Sequence, residues 1–193
     1  MMGAMSTRRS PLATAVLALV CESPMHAYRM QQLIKERHQD DVVNVAQRNS
    51  VYQTIERLLR DGLLAVRETT REENRPERTV YEATETGRET LKQWMRTMLS
   101  TPAREFPEFP AALAFLPVLT PEEALAALRQ RIAALEARLA VLGTEMADNL
   151  TFVPRLFLVE SEYQRAQVAA ELEFVRGLAD DLGEGRLTWD FRI

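Results

Sequence analysis

At 193 residues the chain can hold one large or two small domains, each able to bury a modest core. A hydrophobic content of 46% and a charged content of 27% are those of an ordinary soluble protein, and the net charge of -4 excludes a generally basic protein that coats nucleic acid. The charge is uneven: residues 6–99 carry 15 Lys and Arg against 13 Asp and Glu, whereas residues 100–193 carry 9 against 15. An anionic partner therefore prefers the N-terminal half.

The chain opens with "RRSPLATAVLALVC", two arginines before an apolar run that ends at the single cysteine. It imitates a secretion signal or lipoprotein anchor, but the run is too short to span a bilayer and Val20 is a poor residue before a cleavage site. Ser10-Pro11 instead reads as an N-cap with proline in the first turn, so the stretch to Glu22 is expected as a buried first helix of a cytoplasmic protein, with Cys21 a core thiol. "SPMHA" turns into a second helix, "YRMQQLIKERHQ", with Met30, Leu33 and Ile34 inward. The third helix, "RNSVYQTIERLLRD", places Val51, Ile55, Leu58 and Leu59 on one face and is closed by Gly62. Two extended stretches follow, "LLAVRETT" and "TVYEAT", separated by the polar hairpin loop "REENRPER". Thr84 caps a fourth helix that runs to about Ser100 through Leu91, Trp94, Met95 and Met98. Three helices, a hairpin and a helix make a winged helix-turn-helix order.

"TPAREFPEFP" carries three prolines in ten residues and marks a domain boundary. A short apolar helix over Ala111 to Phe115 precedes "TPEE", in which Thr120 is the N-cap, Pro121 the first turn and Glu123 the capping-box acid. Leu125, Leu128, Ile132, Leu135, Leu139, Leu142 and Met146 then alternate spacings of three and four, a coiled-coil seam. The last helix, roughly Leu156 to Leu182, repeats the pattern through Val168, Leu172, Val175, Ala179 and Leu182. Two such stripes must bury against each other or against a second chain, and dimerisation through Leu125, Leu128, Ile132, Leu135, Leu139, Leu142, Val168, Leu172 and Val175 is the economical reading. The predicted fold is mainly α with a small β-wing: a winged helix-turn-helix domain over residues 6–100 and a helical dimerisation or effector domain over residues 111–193.

The inventory for catalysis is thin. His26, His38 and Cys21 show no zinc-ligand spacing, the seven glycines form no phosphate-cradling loop, and the carboxylates fall on solvated helix faces. No catalytic residue, metal or cofactor is predicted, and His26, at a turn into a helix, is read as a cap or a core hydrogen-bond partner. The outward face of the third helix has a different chemistry. In a helix-turn-helix the second helix of the motif enters the major groove and its N-terminal residues reach base edges, where Arg pairs with guanine and Asn or Gln with adenine. Arg48, Asn49, Ser50 and Gln53 occupy that end; Tyr52, Thr54 and Arg57 are placed for phosphates, and Arg71, Arg75 and Arg78 supply a wing, diluted by Glu72, Glu73 and Glu77.

"MHAYRM", "SVYQTIERLLRDGLL" and "RTVYEATETGRETL", in this order, resemble the signature segments of PadR-type transcriptional regulators, over about residues 10–100. The two-helix C-terminal half is similar to that of the larger PadR-like subfamily. Two departures stand out: Ala27 where the family usually has Gly, and Val51-Tyr52 where it commonly has Leu-Tyr. The resemblance implies a homodimer on a palindromic double-stranded DNA operator, repressing nearby promoters until a small, often aromatic effector binds; Trp94, Met95 and Met98, near the proline-rich boundary, are the candidate effector contacts, with core or interface packing the favoured reading of Trp94. Two other readings of the residues stay open, a MarR-like or other winged-helix regulator and a winged-helix module that binds protein.

Overall fold

The computed structural model describes residues 9–45, 48–70, 78–149 and 152–190. The chain divides into two compact units, residues 1–104 and 105–193.

In the first unit, α1 (Pro11–Glu22) starts where the sequence predicts, with the Ser10 hydroxyl accepting from the Ala13 N–H at 3.2 Å. The short strand β1 (Met25–His26) leads into α2 (Ala27–Glu36), where His26 acts as N-cap: its Nδ1 accepts from the Arg29 N–H at 3.0 Å. α3 (Arg48–Arg60) ends in a Schellman motif, in which the Gly62 N–H reaches the Leu59 carbonyl and the Leu63 N–H the Leu58 carbonyl. Gly62 sits at φ +70°, a conformation that glycine enters without a Cβ penalty. β2 (Leu64–Thr70) and β3 (Arg78–Ala83) form the antiparallel wing, and the sheet order is β1-β3-β2. β1 is only Met25–His26, paired with Tyr81 and Val80; the sequence reads it as part of a turn, because two residues show no alternation and the pairing is purely tertiary. α4 (Glu85–Ser100) is capped by Thr84, whose hydroxyl accepts from the Gly87 N–H at 2.9 Å and donates to the Gly62 carbonyl at 2.8 Å. One threonine thus ties the end of α3 to the start of α4. Gly87 is needed there, since a Cβ would run into the Leu63 carbonyl.

The core of this unit is a continuous cluster in which Val16, Leu17, Val20, Met30, Ile34, Val51 and Leu58 are completely buried. Each such side chain contributes about 1.5–3 kcal/mol over its exposed state. Cys21 is half-buried, and burial pushes its thiol up despite the Arg88 cation beside it, the behaviour of a structural thiol.

The second unit begins with α5 (Glu108–Ala114), three residues earlier than the prolines suggest. Pro110 falls in its first turn, where the missing N–H has no intrahelical partner to lose. A 3₁₀ turn, Leu116–Val118, leads to α6 (Pro121–Asn149), with the capping box complete: the Thr120 N–H donates to Glu123 Oε2 at 2.8 Å and the Glu123 N–H to Thr120 Oγ1 at 3.2 Å. A second 3₁₀ turn, Arg155–Phe157, precedes α7 (Val159–Gly183), so the last helix starts three residues later than expected.

α6 and α7 pack on each other as a hairpin. Ala124 and Leu128 of α6 meet Val175, Ala179 and Leu182 of α7, with Leu125, Ile132, Leu135 and Leu178 against them. Leu142 and Leu172 are also buried, while Leu139 and Val168 are half-buried. The predicted seam is therefore occupied by the chain's own hairpin, the first of the two alternatives its periodicity allowed. Polar pairs fix the register along the flanks: Arg131 to Glu171, Arg138 to Gln164 and Arg176 to Glu136. Arg131 also lies 3.8 Å over the Phe109 ring, and Trp189 Nε1 donates to the Leu119 carbonyl at 2.9 Å. Among the described residues no helix is long and apolar enough to cross a membrane.

Candidate nucleic-acid interface

α3 is held by its buried face and presents the remainder. Val51, Ile55 and Leu58 point into the core, whereas Gln53, Glu56 and Arg60 are exposed and Tyr52 is 49% exposed. Ser50 is half-buried. The side chains of Arg48, Asn49 and Arg78 lie outside the described residues, as do Arg71 and Arg75. The placement of Gln53 toward solvent near the amino end of α3 is what a base-reading residue requires.

Two predicted phosphate contacts sit differently. Thr54 is only 8% exposed; with Val51, Ile55 and Leu58 it completes the i, i+3, i+4, i+7 stripe, so helical periodicity itself places it inward. Arg57 is half-buried, with its Nη2 3.4 Å from Ser10 Oγ and its Nε buried without a hydrogen-bond partner. Other side chains around α3 are more open.

Some of these the sequence did not single out. β2 carries a register shift between Val66 and Glu68, which leaves Arg67 as the extra residue of a bulge, exposed on the wing. A bulge depends on the pairing partner, so no local signal announces it. Tyr28, at the amino end of α2, is also exposed. Where α3 meets the wing, burial pushes the Tyr81 phenol up, a hydrogen bond with Thr79 acts the other way, and Tyr52 and Glu56 of α3 add to the rise. Cations nearby are partly neutralised: Arg29 is bonded to Glu36 at 2.9 Å and Arg60 lies 3.8 Å from Asp61. Among the described residues, this surface mixes polar and charged side chains.

The candidate effector residues separate. Trp94 is 8% exposed and belongs to the core of the first unit, packed in the same cluster as Leu17 and Leu58. Met95 is 42% exposed and Met98 is similarly open, with the Thr14 hydroxyl 3.7 Å from the Met98 sulfur. No group of three or more His, Cys, Asp or Glu among the described residues could hold a metal ion.

Residues 16–93 match the Transcriptional regulator PadR-like family. No curated protein matches the chain. Among solved structures, the fold is similar to that of Bacillus subtilis PadR in complex with operator DNA, at 18% identity and TM-score 0.69, over 90% of this chain and 99% of that one. It is similar to the same regulator in complex with p-coumaric acid, at 16% identity and TM-score 0.72, over 90% and 99%. It also resembles the Vibrio cholerae virulence activator AphA, at 17% identity and TM-score 0.68, over 90% and 98%. At these identities the likeness is one of fold. Residues 16–93 thus carry the match to the PadR-like family, and nine-tenths of the chain shares its fold with the Bacillus subtilis PadR structure.

Proposed function

We propose that the chain is a cytoplasmic, non-catalytic repressor of nearby genes, which binds a palindromic operator as a homodimer and releases it when a small aromatic molecule binds. The observation that carries this reading is the division of α3 into an apolar face locked in the core and an outward face bearing Gln53 and Tyr52. In the proposed complex Arg48, Asn49, Ser50 and Gln53 read bases, and Tyr52 with the wing residues Arg67, Arg71, Arg75 and Arg78 takes phosphates. Domain roles follow the two units, with DNA binding in residues 6–100 and dimerisation and effector response in residues 111–193.

The second copy is supported by apolar surface that the hairpin leaves uncovered, including Phe174 on α7 and Val141 on α6. The seam residues Leu128, Leu142, Leu172 and Val175 serve the dimer by holding the hairpin that presents this surface. For the effector, the p-coumaric acid complex of a similar fold supports a flat aromatic acid, and exposed Met95 and Met98 are the adaptable contacts. The similarity to a virulence activator makes activation the competing sign of regulation.

The test is selection of duplex fragments from fragmented host DNA by the purified protein, followed by mobility shifts over a salt series. The proposal expects palindromic fragments retained with affinity that falls as salt rises. Retention of no duplex would favour the protein-binding reading of α3.

A further inference from the structure

Arg57 stands one turn beyond Gln53 on α3, yet it is turned toward the body of the protein. Its Nε is sealed from solvent without a hydrogen-bond partner, and Nη2 approaches the Ser10 hydroxyl at 3.4 Å. Ser10 is a crowded residue. Its hydroxyl already accepts from the Ala13 N–H, and its carbonyl accepts from the Thr14 N–H at 2.9 Å and the Thr14 hydroxyl at 3.1 Å. That Thr14 hydroxyl in turn lies against the Met98 sulfur of α4. Three helices, α3, α1 and α4, are therefore linked through Ser10 and Thr14.

The arrangement has a cost that stability does not explain. A guanidinium at the amino end of α1 sits at the positive end of the helix dipole, where an anion would be favoured. An arginine with one nitrogen buried cannot swing out to a DNA phosphate without giving up the packing of its stem. Resting on the reading of α3 as the DNA-recognition helix, we infer that Arg57 is a positioning residue: it sets the pitch of α3 through Ser10 and holds no phosphate itself. Thr14 and Met98 extend the same connection to α4.

The experiment measures affinity, its salt dependence and thermal unfolding, using a duplex enriched from fragmented host DNA and a scrambled duplex of equal length. The proteins are the full chain, Arg57→Gln, Ser10→Gly and the double variant; glycine is nearly as good an N-cap as serine, so Ser10→Gly removes the hydroxyl and leaves α1 capped. Each single variant is expected to lose about 3- to 10-fold on the enriched duplex, the range for one hydrogen bond. Discrimination against the scrambled duplex falls with it, the double variant is no worse than either single, and the slope of log affinity against log salt is unchanged. A slope that drops by about one in Arg57→Gln, with Ser10→Gly at full affinity, makes Arg57 a phosphate contact and overturns the inference alone. So do losses that multiply in the double variant, or a fall in thermal stability with discrimination intact. A full chain that retains no duplex overturns the reading of α3 and this inference together.

Discussion

The two units use the same helical periodicity to different ends. In residues 1–104, three helices, a sheet and α4 surround one cluster, and Val16, Leu17, Val20, Met30, Ile34, Val51 and Leu58 are wholly removed from solvent. In residues 105–193, two long helices can cover only one stripe of each other, and Phe174 remains 55% exposed on the outer side of α7. Burial on several sides needs several neighbours, whereas a two-helix hairpin has one. The first unit is a self-contained platform for α3. The second has surface to spare for another molecule.

Cutting into each unit should expose this contrast. Ile55→Ala removes a fully enclosed side chain on the buried face of α3 and should cost about 2–5 kcal/mol in denaturant unfolding. Phe174→Ser should leave the unfolding of a single chain nearly unchanged and shift the protein toward monomer in sedimentation, because more than half of its surface is open in its own chain.

Glycine makes the comparison sharper, since one substitution should change sign between the units. Gly87→Ala forces a Cβ into the Leu63 carbonyl and should destabilise by about 1–3 kcal/mol. Gly143→Ala and Gly177→Ala meet nothing within 4 Å inside α6 and α7, and each should stabilise by about 0.5–1 kcal/mol. Thermal unfolding of the three variants would measure the signs directly.

The smallest effect is electrostatic. Glu22 is held below the usual carboxylate range, mainly by its hydrogen bonds from Arg37 and then by that cation's charge, against the desolvation that burial imposes. A carboxyl lowered in the folded state contributes stability at neutral pH and loses it as pH falls through its folded value. Because the pair is largely solvated, Glu22→Gln should flatten the acid limb of the stability curve by only a few tenths of a kcal/mol, at about the level of a surface ion pair.

What could be read from the sequence was local chemistry. Ser10, Gly62, Thr84 and the Thr120–Glu123 pair act within a few residues of themselves, and the structure places each in the predicted cap or stop. Features that depend on a distant partner were not legible. β1 exists because β3 lies beside it, and Arg67 projects because β2 bulges against that same strand. A heptad stripe looks the same whether it meets its own chain or another, so periodicity alone could not assign Leu128 and Leu142 to the hairpin. Thr54 was different: its inward position was available from helical spacing, but its hydroxyl suggested the opposite face. Trp94 lies in the core, the placement its sequence neighbours favour over stacking on a ligand.

In the proposed complex Gln53 reads a base from the exposed face of α3. The most direct measurement is the affinity of Gln53→Ala for the enriched duplex and for a scrambled duplex at one fixed salt concentration. The predicted result is a loss of roughly 1–3 kcal/mol on the enriched duplex, relaxed preference at one position per half-site and little change on the scrambled one. An equal loss on both duplexes, or none on either, would contradict the assignment of α3 as the sequence-reading element.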